Sequence, residues 1–219
     1  MTDAAGPGFR KSVVREYFES ICVAVILAFF VRTFVVQAFK IPSGSMEPNL
    51  LIGDHLRVNK FVFAPTLTSL ERLLMPIDPI RRGDIIVFKY PEDPSRDFIK
   101  RVIGLPGDTI EMRNKKVYVN GTPLDEPYAH FIYPPDEASS AAPDVSSPGD
   151  LLVSFSPMVV PPDNYFMMGD NRDNSQDSRY WGFMPRDYVK GKALFVYFSF
   201  GEGGGLANIR WSRLLHQIH

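Results

Sequence analysis

Residues Asp97–Met112 read DFIKRVIGLPGDTIEM. Two runs of alternating, largely β-forming residues flank GLPGD, a turn built on Pro106 and Gly107. The pattern continues outward. Upstream, Gly83–Pro91 is GDIIVFKYP, a short apolar strand between turn residues. Downstream, Asn114–Gly121 is NKKVYVNG, a hairpin-like stretch, and Tyr165–Met168 and Ala193–Phe200 supply two more strands. Short strands punctuated by Gly, Pro, Asn and Asp predict a mainly β architecture. Alternation puts Phe98, Lys100 and Val102 on one strand face and Ile99, Arg101 and Ile103 on the other.

The chain of 219 residues is 45% hydrophobic and 22% charged, which fits a globular protein and excludes a disordered chain or a multi-span membrane protein. Its net charge of -1 lacks the basic excess of a nucleic-acid binder. The single cysteine, Cys22, forms no intrachain disulfide, and the four histidines show no metal-ligand spacing. No metal or other cofactor is expected.

Ile21–Phe39, ICVAVILAFFVRTFVVQAF, is the one long apolar run. As a helix its roughly 19 residues extend about 28 Å, close to the ~30 Å hydrocarbon core of a bilayer. A buried core helix and a cleaved secretory signal are the competing assignments. The run is longer than a signal's apolar region, and no A-x-A site follows. An uncleaved signal-anchor is therefore expected, with a cytoplasmic tail at 1–15, a membrane helix at 16–38 and an extracytoplasmic β domain at 39–219. Arg10, Lys11 and Arg15 place the N-terminal side in the cytoplasm by the positive-inside rule.

Two stretches break the strand pattern. Ala64–Ile80 contains a short helical pattern, SLERLLM, among prolines. Pro134–Pro162 is rich in Pro, Ser, Ala and Asp and reads as a solvated insertion, bounded at about 121–163. Near the end, Trp211, Leu214, Leu215 and Ile218 recur at helical spacing. They predict a short helix, either at a lipid interface or packed on the β domain.

Three polar groupings could do chemistry. In IPSGSMEPNL (Ile41–Leu50), Ser43 and Ser45 flank Gly44 in a proline-bounded turn. Such a turn can expose a hydroxyl and aim an N–H at a developing oxyanion; it can also be a plain Ser/Gly turn. Lys100 shares a strand face with apolar side chains. Burial there would lower its pKa toward that of a usable base, whereas a lysine snorkelling to water would stay charged. Gly169–Gly182, GDNRDNSQDSRYWG, packs acids, arginines and serines into one loop. That loop reads as a solvated surface, an imperfect calcium loop or a network that organises a site. A serine and a lysine without a histidine cluster match the Ser–Lys form of nucleophilic hydrolysis.

At this point the sequence resembles the bacterial type I signal peptidases (leader peptidases). The resemblance rests on SGSMEPNL, GDIIVFKYP, KRVIGLPGD and GDNRDNSQDSRYWG in that order, and covers the anchor and most of the β domain. It implies an N-terminal transmembrane helix followed by an all-β catalytic domain with an inserted small subdomain. It implies Ser45 as nucleophile and Lys100 as neutral general base. Ser43 Oγ and the Ser45 N–H become oxyanion donors, Ser175 orients Lys100, and Asp177 with Arg179 supports the loop. Phe39, Ile41, Pro42, Met46, Phe98 and Ile99 shape substrate pockets for small side chains. The implied substrates are secretory preproteins cut after A-x-A, by a monomer in contact with membrane lipid, on the outer face of the plasma membrane. The alternatives within the same broad fold are a self-cleaving repressor and a conjugation-type maturation protease; the expected anchor and the absence of a DNA-binding helix-turn-helix argue against the repressor. A non-catalytic scaffold for exported proteins would have no use for Ser45, Lys100 and Ser175 together.

Overall fold

A computed structural model describes residues 13–30, 36–59, 79–133, 152–201, 203 and 208–218. Helix α1 spans Val13–Phe30. Among the described residues twelve strands follow: β1 Val36–Lys40, β2 Asp54–Asn59, β3 Ile85–Tyr90, β4 Asp93–Gly104, β5 Thr109–Arg113, β6 Lys116–Val119, β7 Thr122–Pro123, β8 Phe155–Val159, β9 Asn164–Met168, β10 Met184–Pro185, β11 Val189–Ser199 and β12 His216–Gln217. A one-turn helix, α2, covers Ser178–Trp181. The mainly β expectation holds.

The strands form two antiparallel sheets. The large one runs β1-β2-β11-β3-β4-β9-β10, with β12 on β11; the small one runs β7-β6-β5-β8. The chain changes sheets at GLPGD. There Asp108 N donates to Leu105 O at 3.0 Å, and Asp108 accepts the Leu105 N–H at 2.7 Å. Pro106 and then Gly107 at φ +87° meet the demands of a type II turn, whose third position only glycine adopts freely. The β5–β6 hairpin turns through Asn114 and Lys115, both at positive φ, as a two-residue hairpin of right-handed twist requires.

Alternation sends neighbouring side chains of β3 into different cores. Ile85 and Val87 join Ile41, Met46, Leu56, Ile99 and Val196. Ile86 and Phe88 join Val102, Tyr165, Met167 and Met184. β3 is buried on both faces, and so it reads as a continuous apolar run. A third core lies between the sheets, where Ile103, Phe166 and Met168 meet Ile110, Met112, Val117 and Phe155.

Three expectations are corrected. β1 begins at Val36 and pairs with β2 from Val36↔Asn59 to Lys40↔His55. The final residues of the expected span, 36–38, are thus sheet; with β2 as a partner edge, Val36 and Phe39 of β1 suit a strand. Among the described residues the expected C-terminal helix is absent. Trp211–Arg213 makes a single 3-10 turn, Leu215 takes φ +56°, and His216–Gln217 pairs with β11. Arg213 is pulled onto Asp54, and strand pairing satisfies the backbone that a helix would have satisfied internally. The expected insertion is smaller than 121–163: β7 and β8 belong to the small sheet, and Phe155 and Val160 are core residues. The tail before Val13, the SLERLLM pattern and the centre of the insertion, 134–151, lie outside the described residues.

Candidate active site

The turn after β1 carries one half of the site. Pro42 enters it, Ser43 is extended, and Gly44–Met46 forms one turn of 3-10 helix closed by Glu47 N donating to Gly44 O at 3.1 Å. Met46 is buried in the core and pins the turn. The neighbouring Ser45 side is held by a backbone bond, Asn171 N to Ser45 O at 3.1 Å.

The other half comes from β4, whose outer residues are largely exposed and whose inner residues, Ile99–Gly104, are all buried. Lys100 is only 3% exposed. Its Nζ donates to Ser45 Oγ at 2.6 Å. Burial pulls its pKa down from 10.5 to about 8; the Asp177 and Asp170 carboxylates oppose that pull and Arg179 adds to it. A neutral amine is therefore accessible near neutral pH, and the nitrogen that donates when charged accepts the hydroxyl proton when neutral.

Arg101, the next residue, meets a different fate. Its guanidinium grips Asp170 through Nε–Oδ1 at 2.8 Å and Nη2–Oδ2 at 2.7 Å, and both side chains are fully buried. Asp177 binds Arg179 in the same bidentate manner, at 2.8 Å twice, and accepts the Gly169 N–H at 3.0 Å. Burial alone would raise the Asp177 carboxyl; Arg179 and these hydrogen bonds overcome it and hold the pKa below the ordinary value. Asp177 also caps α2. Gly169 admits the closest approach in the site: a Cβ there would overlap both Ser175 Oγ and the Ser45 carbonyl oxygen.

The structure brings Ser43, Ser45, Lys100, Ser175, Asp177 and Arg179 into one region. Ser175 Oγ is buried beside Asp177 without a hydrogen bond of normal geometry, to Lys100 or to another described residue. Of the expected pocket residues, Pro42, Phe98 and Ile99 line a cavity of about 520 Å³ together with Ser43, Ser45 and Lys100. Ile41 and Met46 are fully buried beneath it, and the partly buried Phe39 packs against the same core. Arg96, Asn174 and Gln176 line the cavity and escaped the sequence reading. So did Asn49, whose Nδ2 donates to Asp170 Oδ2 at 2.8 Å. Arg101 sat among apolar residues in its strand, which was a signal of burial; its partner 69 residues away left none.

A buried amine hydrogen-bonded to a hydroxyl beside a cavity has the geometry that Ser–Lys hydrolysis requires. Comparison with known proteins gives the family. The family model described as "Signal peptidase, peptidase S26" matches residues 14–198. The chain belongs to this family. It is 35% identical to a signal peptidase I of Pseudomonas aeruginosa, covering 88% of this chain and 75% of that one. It is 36% identical to a signal peptidase I of Aquifex aeolicus, covering 87% and 84%. With signal peptidase I P of Bacillus subtilis subsp. natto it shares 37% identity over 88% and 93%.

Proposed function

We propose that the protein is a membrane-anchored serine endopeptidase that removes N-terminal signal peptides from exported preproteins, cutting after small residues. The Lys100 Nζ–Ser45 Oγ contact at 2.6 Å, opening on the cavity, carries this reading. Neutral Lys100 takes the Ser45 proton as Oγ attacks the scissile carbonyl. The Ser43 hydroxyl and the Ser45 N–H stabilise the oxyanion. Lys100 then protonates the leaving amine. In the second half, the Lys100 amine takes a proton from water as its oxygen attacks the acyl carbon, and returns that proton to Ser45 Oγ as the acyl–Oγ bond breaks. Ser175, beside Asp177, supports the lysine end of the site.

The substrate binds as an added strand. Beyond Arg101, β4 pairs with β9, but its outer half pairs only with β3 among the described residues, which leaves an edge beside the cavity. Pro42, Phe98 and Ile99 give that edge a shallow apolar floor that excludes bulk.

Anchoring is supported by α1. Tyr17, Phe18, Ile21, Val23, Ile26 and Leu27 are each more than 60% exposed, so the helix presents apolar residues that the β domain does not cover. From Ile21 onward α1 carries no charged residue, and an uncovered apolar helical surface of this kind belongs in a core or in lipid. Among the described residues no helix is long and apolar enough by itself to cross a membrane; α1 is the described part of the proposed anchor, N-terminus inside, and the monomer works at the outer face.

The test is cleavage of a secretory preprotein by the purified protein in detergent, with the new N-terminus read by mass spectrometry. Cutting after A-x-A is expected for the wild type and is lost in Ser45→Ala and Lys100→Met. Cleavage that survives either substitution overturns the assignment.

A further inference from the structure

We propose that Leu124–Tyr133 is a strap that positions the Gly169–Gly182 loop for the reaction, with Glu126 and Tyr128 as positioning residues acting through Arg172 and Arg101. This rests on the reading of Ser45 and Lys100 given above. The strap leaves the small sheet after β7 and lies along the loop; none of its residues lines the cavity.

Four attachments fasten it. The Arg172 side chain is fully buried, pairs with Glu126 through both terminal nitrogens, and donates from Nε to Gly169 O at 3.1 Å. The Arg172 carbonyl in turn accepts from Arg179 Nη2 at 2.7 Å. Arg172 thus joins Glu126, through its guanidinium, to the glycine that makes room for Ser175 and, through its backbone carbonyl, to the arginine that holds Asp177. Next, the Arg101 guanidinium lies 4.0 Å from the Tyr128 ring centre. The Tyr128 carbonyl accepts from Asn49 Nδ2 at 2.9 Å, the same amide that donates to Asp170. His130 adds a backbone bridge, donating to Asp170 O at 2.7 Å and accepting from Arg172 N at 2.9 Å. Finally, Tyr133 N donates to Asp173 Oδ2 at 2.9 Å, with Lys115 on the other oxygen at 2.8 Å.

A buried ion pair is a poor device for stability, because desolvation offsets its attraction. It is a good device for fixing one geometry, since a charge buried without its partner is costly in every alternative. Four attachments spread over Asp170–Asp173 hold the first turn of the loop whose next residues, Asn174 and Gln176, line the cavity with Lys100. Catalysis is sensitive at this scale: a displacement of about 1 Å from a remote change costs on the order of a hundredfold.

The experiment measures kcat, KM and Tm on the full chain with an A-x-A preprotein, for wild type, Glu126→Gln, Tyr128→Leu and the double variant. Each single variant is expected to lower kcat by about 10- to 100-fold while KM stays within about twofold, because the cavity is untouched. The double variant is expected to lose less than the product of the two, as both release one loop. Glu126→Asp restores part of the rate. If Glu126→Gln does not fold, Tyr128→Leu still decides, since Asp170 keeps Arg101 paired in that variant. Unchanged kcat, a rise in KM alone, or losses that multiply overturn the proposal. A wild type that fails to cleave overturns the underlying reading of Ser45 and Lys100 instead.

Discussion

The small sheet and the Gly169–Gly182 loop are both buried, and they are buried by opposite chemistry. The small sheet is closed by Ile110, Met112, Val117 and Phe155 against Phe166 and Met168. The loop buries Asp170, Arg172, Asp177 and Arg179, with Asn171, Ser175 and Ser178. Apolar burial stabilises at about 25 cal/mol per Å² and tolerates small changes of shape. Buried charges stabilise little, yet removing one partner costs about 3–5 kcal/mol. The contrast teaches that the loop is built for position and the small sheet for stability. Lys100 and Arg101 repeat it within one strand: Arg101 is matched by a carboxylate at hydrogen-bond distance, while Lys100 has a hydroxyl and is thereby left able to lose its proton.

The sharpest way to break this comparison is to separate activity from stability. Ser45→Ala and Lys100→Met are each expected to lower the cleavage rate by ~10⁴-fold or more. Yet Lys100→Met is expected to be the more stable protein at pH 7. A lysine pKa of about 8 in the fold against 10.5 in the open chain means that burial of the charge opposes folding by about 3 kcal/mol below pH 8. The opposition fades as pH rises from 8 to 10.5, because the unfolded chain there holds the extra proton. Thermal melts should therefore show the gain of Lys100→Met shrinking across that window. A variant less stable than wild type at pH 7 would contradict the burial argument.

Asp177→Asn and Phe155→Ala come next. Both are expected to cost about 3–5 kcal/mol in denaturant melts, one by an unpaired buried Arg179 and one by a cavity. They part in the assay: below its melting range Phe155→Ala keeps a near-normal kcat, and Asp177→Asn does not. A milder effect is the acid limb of the rate. It should fall about tenfold per pH unit below a midpoint near 8, as Lys100 takes up its proton. The smallest is Ile110→Val, expected to cost about 0.5–1.5 kcal/mol and to leave cleavage unchanged.

Much of this was legible in the sequence. GLPGD and the alternating strands on either side gave their secondary structure through local rules, since φ preference and period 2 act over a few residues. Ser45, Lys100 and the Gly169–Gly182 loop were candidates on local grounds, and the resemblance of four motifs to a known family singled them out and gave Asp177 and Arg179 their expected role. The partnerships that tie the site together did not show. Glu126 and Arg172 are 46 residues apart, and Asn49 and Asp170 are 121 apart. Long-range ion pairs leave no period or spacing behind. Trp211, Leu214, Leu215 and Ile218 misled for a related reason: helical spacing is a local signal, and the pull of Arg213 toward Asp54 and of His216 toward β11 is not.

The place of β11 in the large sheet has a consequence for the life history of the enzyme. In the sheet, the hairpin of β1 and β2 that leads into Ser45 joins the β3–β4 pair carrying Lys100 only through β11, a strand about a hundred residues further along the chain. Contacts so distant in sequence form late, after the entropy of closing a long loop has been overcome. Until β11 is in place, the sheet link between the serine hairpin and the lysine strands is missing, and the catalytic pair is complete only when the last long strand has docked.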